Sequence, residues 1–184
     1  YQEEMGVLIQ QVIGTKVGKY FFPAFAGVAF SNNEFRWSPR IKRDDGLIRL
    51  VPGLGTRAVD RVGDDYPVLI APGKPNLRVN ITAEDIIRYS PQKVDVINLE
   101  TNTFETHEIR DLLKEIGDDY PSMNQIFSKI EHDHIKDLAG LDLDTDPDSL
   151  VVTFNRLVSG SDFIPKLQAI LNELKDKMNT PVDI

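Results

Sequence analysis

The sequence predicts a mixed α/β domain of the α+β kind, in which a mainly antiparallel sheet is flanked by helices. Three observations carry that prediction. Short apolar or alternating runs recur near 7–13, 26–31, 46–51, 66–71 and 150–154, with the length and pattern of strands in a half-buried sheet. Glycine and proline punctuate them, as at Gly46, Pro52-Gly53 and Pro72-Gly73, where the chain must turn. Long helices are few, and one lies near the end, where Ile164, Leu167, Leu171, Leu174 and Met178 share one face.

Taken in order, Val7 to Ile13 is an apolar run interrupted by Gln10 and Gln11, which reads as a buried strand with polar groups at its end. Thr15 to Ala24 reads as a loop whose aromatics, Tyr20 to Phe22, pack back on the core. Gly27–Ser31 and Gly46–Val51 read as two strands joined by a ribbon or loop that holds Phe35, Trp37, Arg36, Arg40, Lys42 and Arg43. Gly53-Leu54-Gly55 then opens a short helix from Thr56 to Val62, carrying Arg57 and Arg61 and ended by Gly63. Tyr66–Ala71 is a further strand, and Leu77–Ile81 is extended. Thr82 with Glu84 and Asp85 caps a helix through Tyr89. The alternating runs 93–99 and 103–109 flank Thr101-Asn102 and predict a hairpin. Arg110–Gly117 and Met123–Leu138 read as helices, Leu150–Phe154 as a strand. Ser161 or Asp162 caps the last helix, which Asn179-Thr180-Pro181 breaks.

Composition narrows the function classes. A length of 184 residues with no apolar run long enough to span a bilayer predicts one domain and no membrane partner. The net charge of −8 argues against a nucleic-acid module, which normally shows a basic face. Residues 101–150 hold thirteen acids against four bases, whereas residues 36–61 hold seven bases against three acids. A basic segment beside a glycine turn suits a polyphosphate, and the acidic half reads as solvated surface. The absence of cysteine removes disulfides and thiolate metal sites and fits a cytoplasmic protein. His132 and His134, read on a helix, point to different sides and cannot share an ion. Residues 141–148, LDLDTDPD, lack the central glycine and closing Glu of a calcium loop and read as an acidic linker.

Gly53 and Gly55 admit two readings. Glycine lets backbone N–H groups approach a phosphate ahead of a helix, or it simply makes a strand-to-helix corner. The order Val7–Ile13, Gly27-Val28-Ala29-Phe30-Ser31, Gly53-Leu54-Gly55, Val59 resembles the N-terminal nucleotide-binding region of the pyruvate phosphate dikinase and phosphoenolpyruvate synthase family. Residues 163–184 resemble that family's helix followed by Pro-x-Asp-Ile. Ala26 stands where Ser is usual and Thr56 where Glu is usual, so no role of that acid carries over. The resemblance implies an ATP-grasp lobe. It places Gln10 and the backbone of Gln11, Val12 and Ile13 at the adenine, and Ser31, Gly53, Gly55 and Thr56 at the nucleotide. Asp183 would be the first acid of a pair that holds Mg²⁺ against the ATP phosphates.

Two function classes follow. One is the ATP-binding portion of a dikinase that passes the β-phosphoryl of ATP to a histidine on another domain and then to pyruvate. The other is a non-catalytic docking domain that keeps the fold, or a related dikinase with a glucan or antibiotic acceptor. Under the first, the chain is a single fragment of an ATP-grasp domain with an inserted hairpin and helical segment at about 72–148. Its partners are ATP, a preceding lobe, a phosphohistidine domain and a pyruvate-binding domain of the same parent chain, and the fragment alone is expected to be inactive. Gly53 and Gly55 are expected to matter more than any one arginine of the 36–43 loop.

Overall fold

The computed structural model describes residues 6–7, 9–59, 65–138 and 145–184. Its elements run β1 (Thr15–Val17), β2 (Tyr20–Phe22), β3 (Phe25–Phe30), β4 (Leu47–Pro52), α1 (Thr56–Val59), β5 (Val68–Ile70), α2 (Ala83–Tyr89), β6 (Lys93–Asn98), β7 (Thr103–Glu108), α3 (Ile109–Ile116), α4 (Met123–Ile126), β8 (Phe127–Glu131), β9 (His134–Asp137), β10 (Leu150–Val152), α5 (Asn155–Ser159) and α6 (Phe163–Met178). The fold is mixed α/β with antiparallel strand pairing, as expected. The strands divide into three sheets, ordered β1-β2-β6-β7, β3-β4-β5 and β10-β8-β9, in place of one central sheet.

Three expected elements take another form. Thr15 to Ala24, expected as a loop, holds β1 and β2, which pair antiparallel with Val17 opposite Tyr20, so its aromatics reach the core from a strand. Residues 9–13 belong to no strand, and Ile9 and Ile13 are 90% and 86% exposed. Apolar side chains alone do not make a strand, because backbone N–H and C=O groups also need a neighbouring ladder, and none of the described strands pairs with this stretch. The helix expected over 123–138 ends at Ile126 and gives way to the β8–β9 hairpin. His132 sits in its turn with φ +56°, a conformation that stops a helix. The two histidines are therefore turn and strand residues, with His134 opposite Glu131. Arg61, expected on the first helix, and Gly63, expected to end it, lie outside the described residues, as do residues 141–144 of the 141–148 segment.

One apolar core joins the sheets. Phe22 from β2, Ile48 and Leu50 from β4, Val94 and Val96 from β6, Phe127 from β8 and Phe154 after β10 are all buried in it. The 93–109 hairpin is thus built into the core, since β6 also pairs with β2. Helix α6 contributes Ile164 and Leu171, with Leu167 and Leu174 packed behind them, while Met178, its last residue, stays exposed. Among the described residues no helix is long and apolar enough to cross a membrane.

The β3-β4-β5 sheet positions everything that follows. Its register sets Ala29, Ile48 and Ile70 side by side on the core face. On the outer face Val28, Arg49 and Leu69 are neighbours in the same way.

Candidate functional site

The end of the chain completes that sheet. The Ala29 N–H donates to the Ile184 carbonyl at 2.7 Å, and the Ile184 N–H donates back at 2.9 Å. The Ser31 N–H donates to the Val182 carbonyl at 2.9 Å, while its Oγ accepts from the Val182 N–H at 2.9 Å. Asp183 is therefore bridged antiparallel to Phe30. Opposed residues of an antiparallel pair project to the same side, so Asp183 shares the outer face with Phe30, and its carboxylate is exposed. Ser31, in contrast, is 7% exposed and uses its hydroxyl to hold the terminal strand.

At the other end of β4 the glycine turn is braced from below. Gly53 has φ +68°, and a Cβ there would stand 2.5 Å from Val94 Cγ2 and 2.6 Å from the Asp95 carbonyl oxygen. No side chain fits, because Gly53 bridges to Asp95 and the Leu54 N–H donates to the same carbonyl at 3.0 Å. Gly55 is freer. Its φ is ordinary, and a Cβ would meet only the Ala26 Cβ at 3.3 Å. Thr56 begins α1 with its side chain exposed.

Arg57 fixes the far side of the turn. Its Nε donates to Asp95 Oδ1 at 3.1 Å, and Nη1 lies 3.7 Å from Asp65 Oδ2. Thr106 Oγ1 donates to the same Asp95 oxygen at 2.7 Å. Asp65 accepts from the Gln92 N–H at 2.7 Å and the Lys93 N–H at 3.2 Å. Burial raises the Asp65 carboxyl above the usual carboxylate range, against the lowering pull of those bonds and of Arg57. The arrangement ties α1 to β6 and β7, so Arg57 serves first as a brace.

A cleft of about 1130 Å³ opens on the outer face of the sheet. Arg49 and Leu69 lie in its floor, and Trp37, whose Nε1–H donates to the Leu77 carbonyl at 2.8 Å, forms one wall. Tyr66 and Tyr89, edge to face at 5.5 Å, form another. The basic 36–43 loop does not converge on one point: Arg40 reaches the cleft rim, whereas Arg43 turns to Glu34 at 2.6 Å.

A family model described as pyruvate phosphate dikinase, AMP/ATP-binding domain, matches residues 1–184. The chain belongs to that family. No curated protein and no solved structure matches it. Of the residues expected at the nucleotide or metal from the sequence, Ser31 and Asp183 come together through the 182–184 stretch. Gly53, Gly55 and Thr56 form one turn beyond the other end of the sheet. Gln10, Gln11, Val12 and Ile13 are exposed and make no hydrogen bond to another described residue. Asp65, Asp95, Arg49 and Arg78 were not marked by the sequence, although an acid between Val94 and Val96 in a strand is itself a signal of a buried polar contact. Among the described residues no three His, Cys, Asp or Glu side chains gather as a metal set.

Proposed function

We propose that this AMP/ATP-binding domain is the ATP-binding portion of a phosphoenolpyruvate synthase or pyruvate phosphate dikinase-like phosphotransferase, an ATP-grasp lobe acting in the cytoplasm. The parent enzyme would pass the ATP β-phosphoryl to a histidine on a separate domain and then to pyruvate. The observation that carries the reading is the pairing of residues 182–184 with β3, which lays Asp183 on an accessible sheet face beside Phe30.

Phosphoryl transfer is mainly a matter of positioning and charge neutralisation. A lone exposed carboxylate fits Mg²⁺, which is commonly held by one or two carboxylates together with substrate phosphates. Asp183 would hold the ion, whose chemistry is to neutralise charge on the phosphates. The ladder on both sides of Asp183 fixes its backbone, so that the carboxylate is presented without reorganisation. Gly55 and Thr56 would border the phosphates, with Gly53 setting the turn that presents them. The stretch Gln10–Ile13 would read the adenine from its main chain once paired with a preceding lobe, and residues 72–148 would be an insertion relative to the simplest such lobe.

The test is MgATP binding by calorimetry in the full-length protein that carries this domain. Asp183→Asn is expected to weaken Mg²⁺-dependent ATP binding about tenfold, roughly 1.4 kcal/mol, and to leave binding in EDTA unchanged. Equal affinity of both forms for MgATP would remove Asp183 from the site.

A further inference from the structure

Guanidinium groups taken out of bulk water ordinarily face a carboxylate or another anion, because an uncompensated charge away from water is costly. The cleft on the outer face departs from this rule. Among the described residues, Arg40, Arg49, Arg57 and Arg78 line it with a single acid, Asp65. Asp65 and Asp95 already answer Arg57. Among the described residues, Arg78 meets no carboxylate and has only the Thr153 carbonyl, to which Nη2 donates at 2.5 Å. Burial lowers its pKa accordingly. Arg49 is half-buried and lies over the Phe30 ring, 5.3 Å from its centroid, again with no carboxylate partner among the described residues. Arg40 waits at the rim, exposed.

The walls between these cations are apolar and flat. Trp37, Tyr66 and Tyr89 present rings, and Ile81 is 84% exposed at the mouth. A volume of about 1130 Å³ is at the upper end of what small-molecule sites offer. None of Gln10, Gln11, Val12, Ile13, Ser31, Gly53, Gly55, Thr56 or Asp183 lines it. We propose that this cleft is a second, metal-independent binding site for a small organic anion with a flat ring, its charged group held by Arg49 and Arg78 and its ring by Trp37 and the tyrosine pair. Phosphate and carboxylate both satisfy this chemistry.

The chain carries its own reporter, because Trp37 is the one tryptophan in the sequence. The experiment follows Trp37 fluorescence of the full chain in EDTA while phenyl phosphate, benzoate or phenol is added. Saturable change with phenyl phosphate or benzoate is expected, the stronger of the two naming the anion, and phenol is expected to bind at least tenfold more weakly. Arg49→Gln and Arg78→Gln should each weaken the anion at least tenfold, Arg40→Gln a few-fold, and Asp183→Asn not at all. If Arg78→Gln fails to fold for want of its Thr153 bond, Arg49→Gln and Arg40→Gln decide the matter. No saturable change up to millimolar anion overturns the proposal, as does equal binding of phenol. So does a response that needs Mg²⁺ and disappears in Asp183→Asn, which would make the cleft a wing of the nucleotide site. Because the readout contains no metal and no ATP, its failure leaves the nucleotide reading standing.

Discussion

Residues 9–13 and residues 182–184 are both short stretches outside the named strands, and both hold residues expected at the nucleotide. Their surroundings differ. The terminal stretch exchanges backbone hydrogen bonds with Ala29 and Ser31 and buries Val182 to 7% exposure. The leading stretch is the more apolar of the two, yet it lies against water with Ile9 and Ile13 bare. Sequence hydrophobicity therefore ranks them in the wrong order, because what fixes a strand is an available ladder and a core for one face, supplied here by the outer edge of β3. Asp183 has a defined place for that reason, and Gln10 and Gln11 acquire one only if a partner strand is provided.

This contrast between a braced region and a bare one can be broken at several points. The largest effect should come from Gly53→Val, which puts a β-branched residue at φ +68° and drives its Cβ into Val94 and the Asp95 carbonyl. A loss of roughly 3–5 kcal/mol is expected, seen as a collapse of the urea midpoint. Gly55→Val, meeting only the Ala26 methyl, should cost far less. A similar loss at both glycines would mean that the whole turn is braced as tightly as Gly53.

Ser31→Ala comes next. It leaves the buried Val182 N–H without its hydroxyl acceptor, at a cost of about 1–2 kcal/mol. Hydrogen exchange at the Val182 and Ile184 amides should accelerate while the Ile48 and Val96 amides keep their protection. Uniform acceleration would show that the terminal strand unfolds only with the core.

A smaller effect is expected in the acid limb. Glu115 accepts from Lys19 at 2.8 Å and Tyr20 at 2.9 Å, and those bonds hold its carboxyl below the usual range. A lowered folded-state value contributes stability above the unfolded value near 4.5, and that contribution fades as pH falls through the folded value. Glu115→Gln should therefore flatten the melting curve's pH dependence below about pH 4.5, by about half a kcal/mol or less given its exposure. Asp65, raised by burial, has the opposite sign, its contribution declining as pH rises from 3.8. The least effect belongs to the bare stretch: Ile13→Ser should change stability by no more than about 0.5 kcal/mol, and a clear drop in Tm would show that residue 13 packs in solution.

The fold was legible where the instructions are local. Thr101-Asn102 between alternating runs marks a hairpin, and β6 and β7 pair around it in register. Gly27–Ser31 and Gly46–Val51 pair as their spacing suggests. The segment after Met123 was misread because its apolar residues satisfy a helical period as well as a strand's, and no glycine marks the turn that His132 makes. In the site, Asp183 and the glycine turn were visible as motifs. The braces were not, since Arg57 meets Asp95 across 38 residues of sequence and Arg78 meets Thr153 across 75. Periodicity carries no information about such pairs.

The terminal strand also bears on how the chain is made. Val182 and Ser31 are separated by 151 positions, so during synthesis the outer edge of β3 stands unpaired until residues 182–184 have left the ribosome. Closing so long a loop is slow, and an open edge of Phe25-Ala26-Gly27-Val28-Ala29-Phe30 invites pairing with another nascent chain. Asp183 thus sits on the segment that ends this exposure, and the yield of folded protein should depend on residues 182–184 more than their small contact area implies.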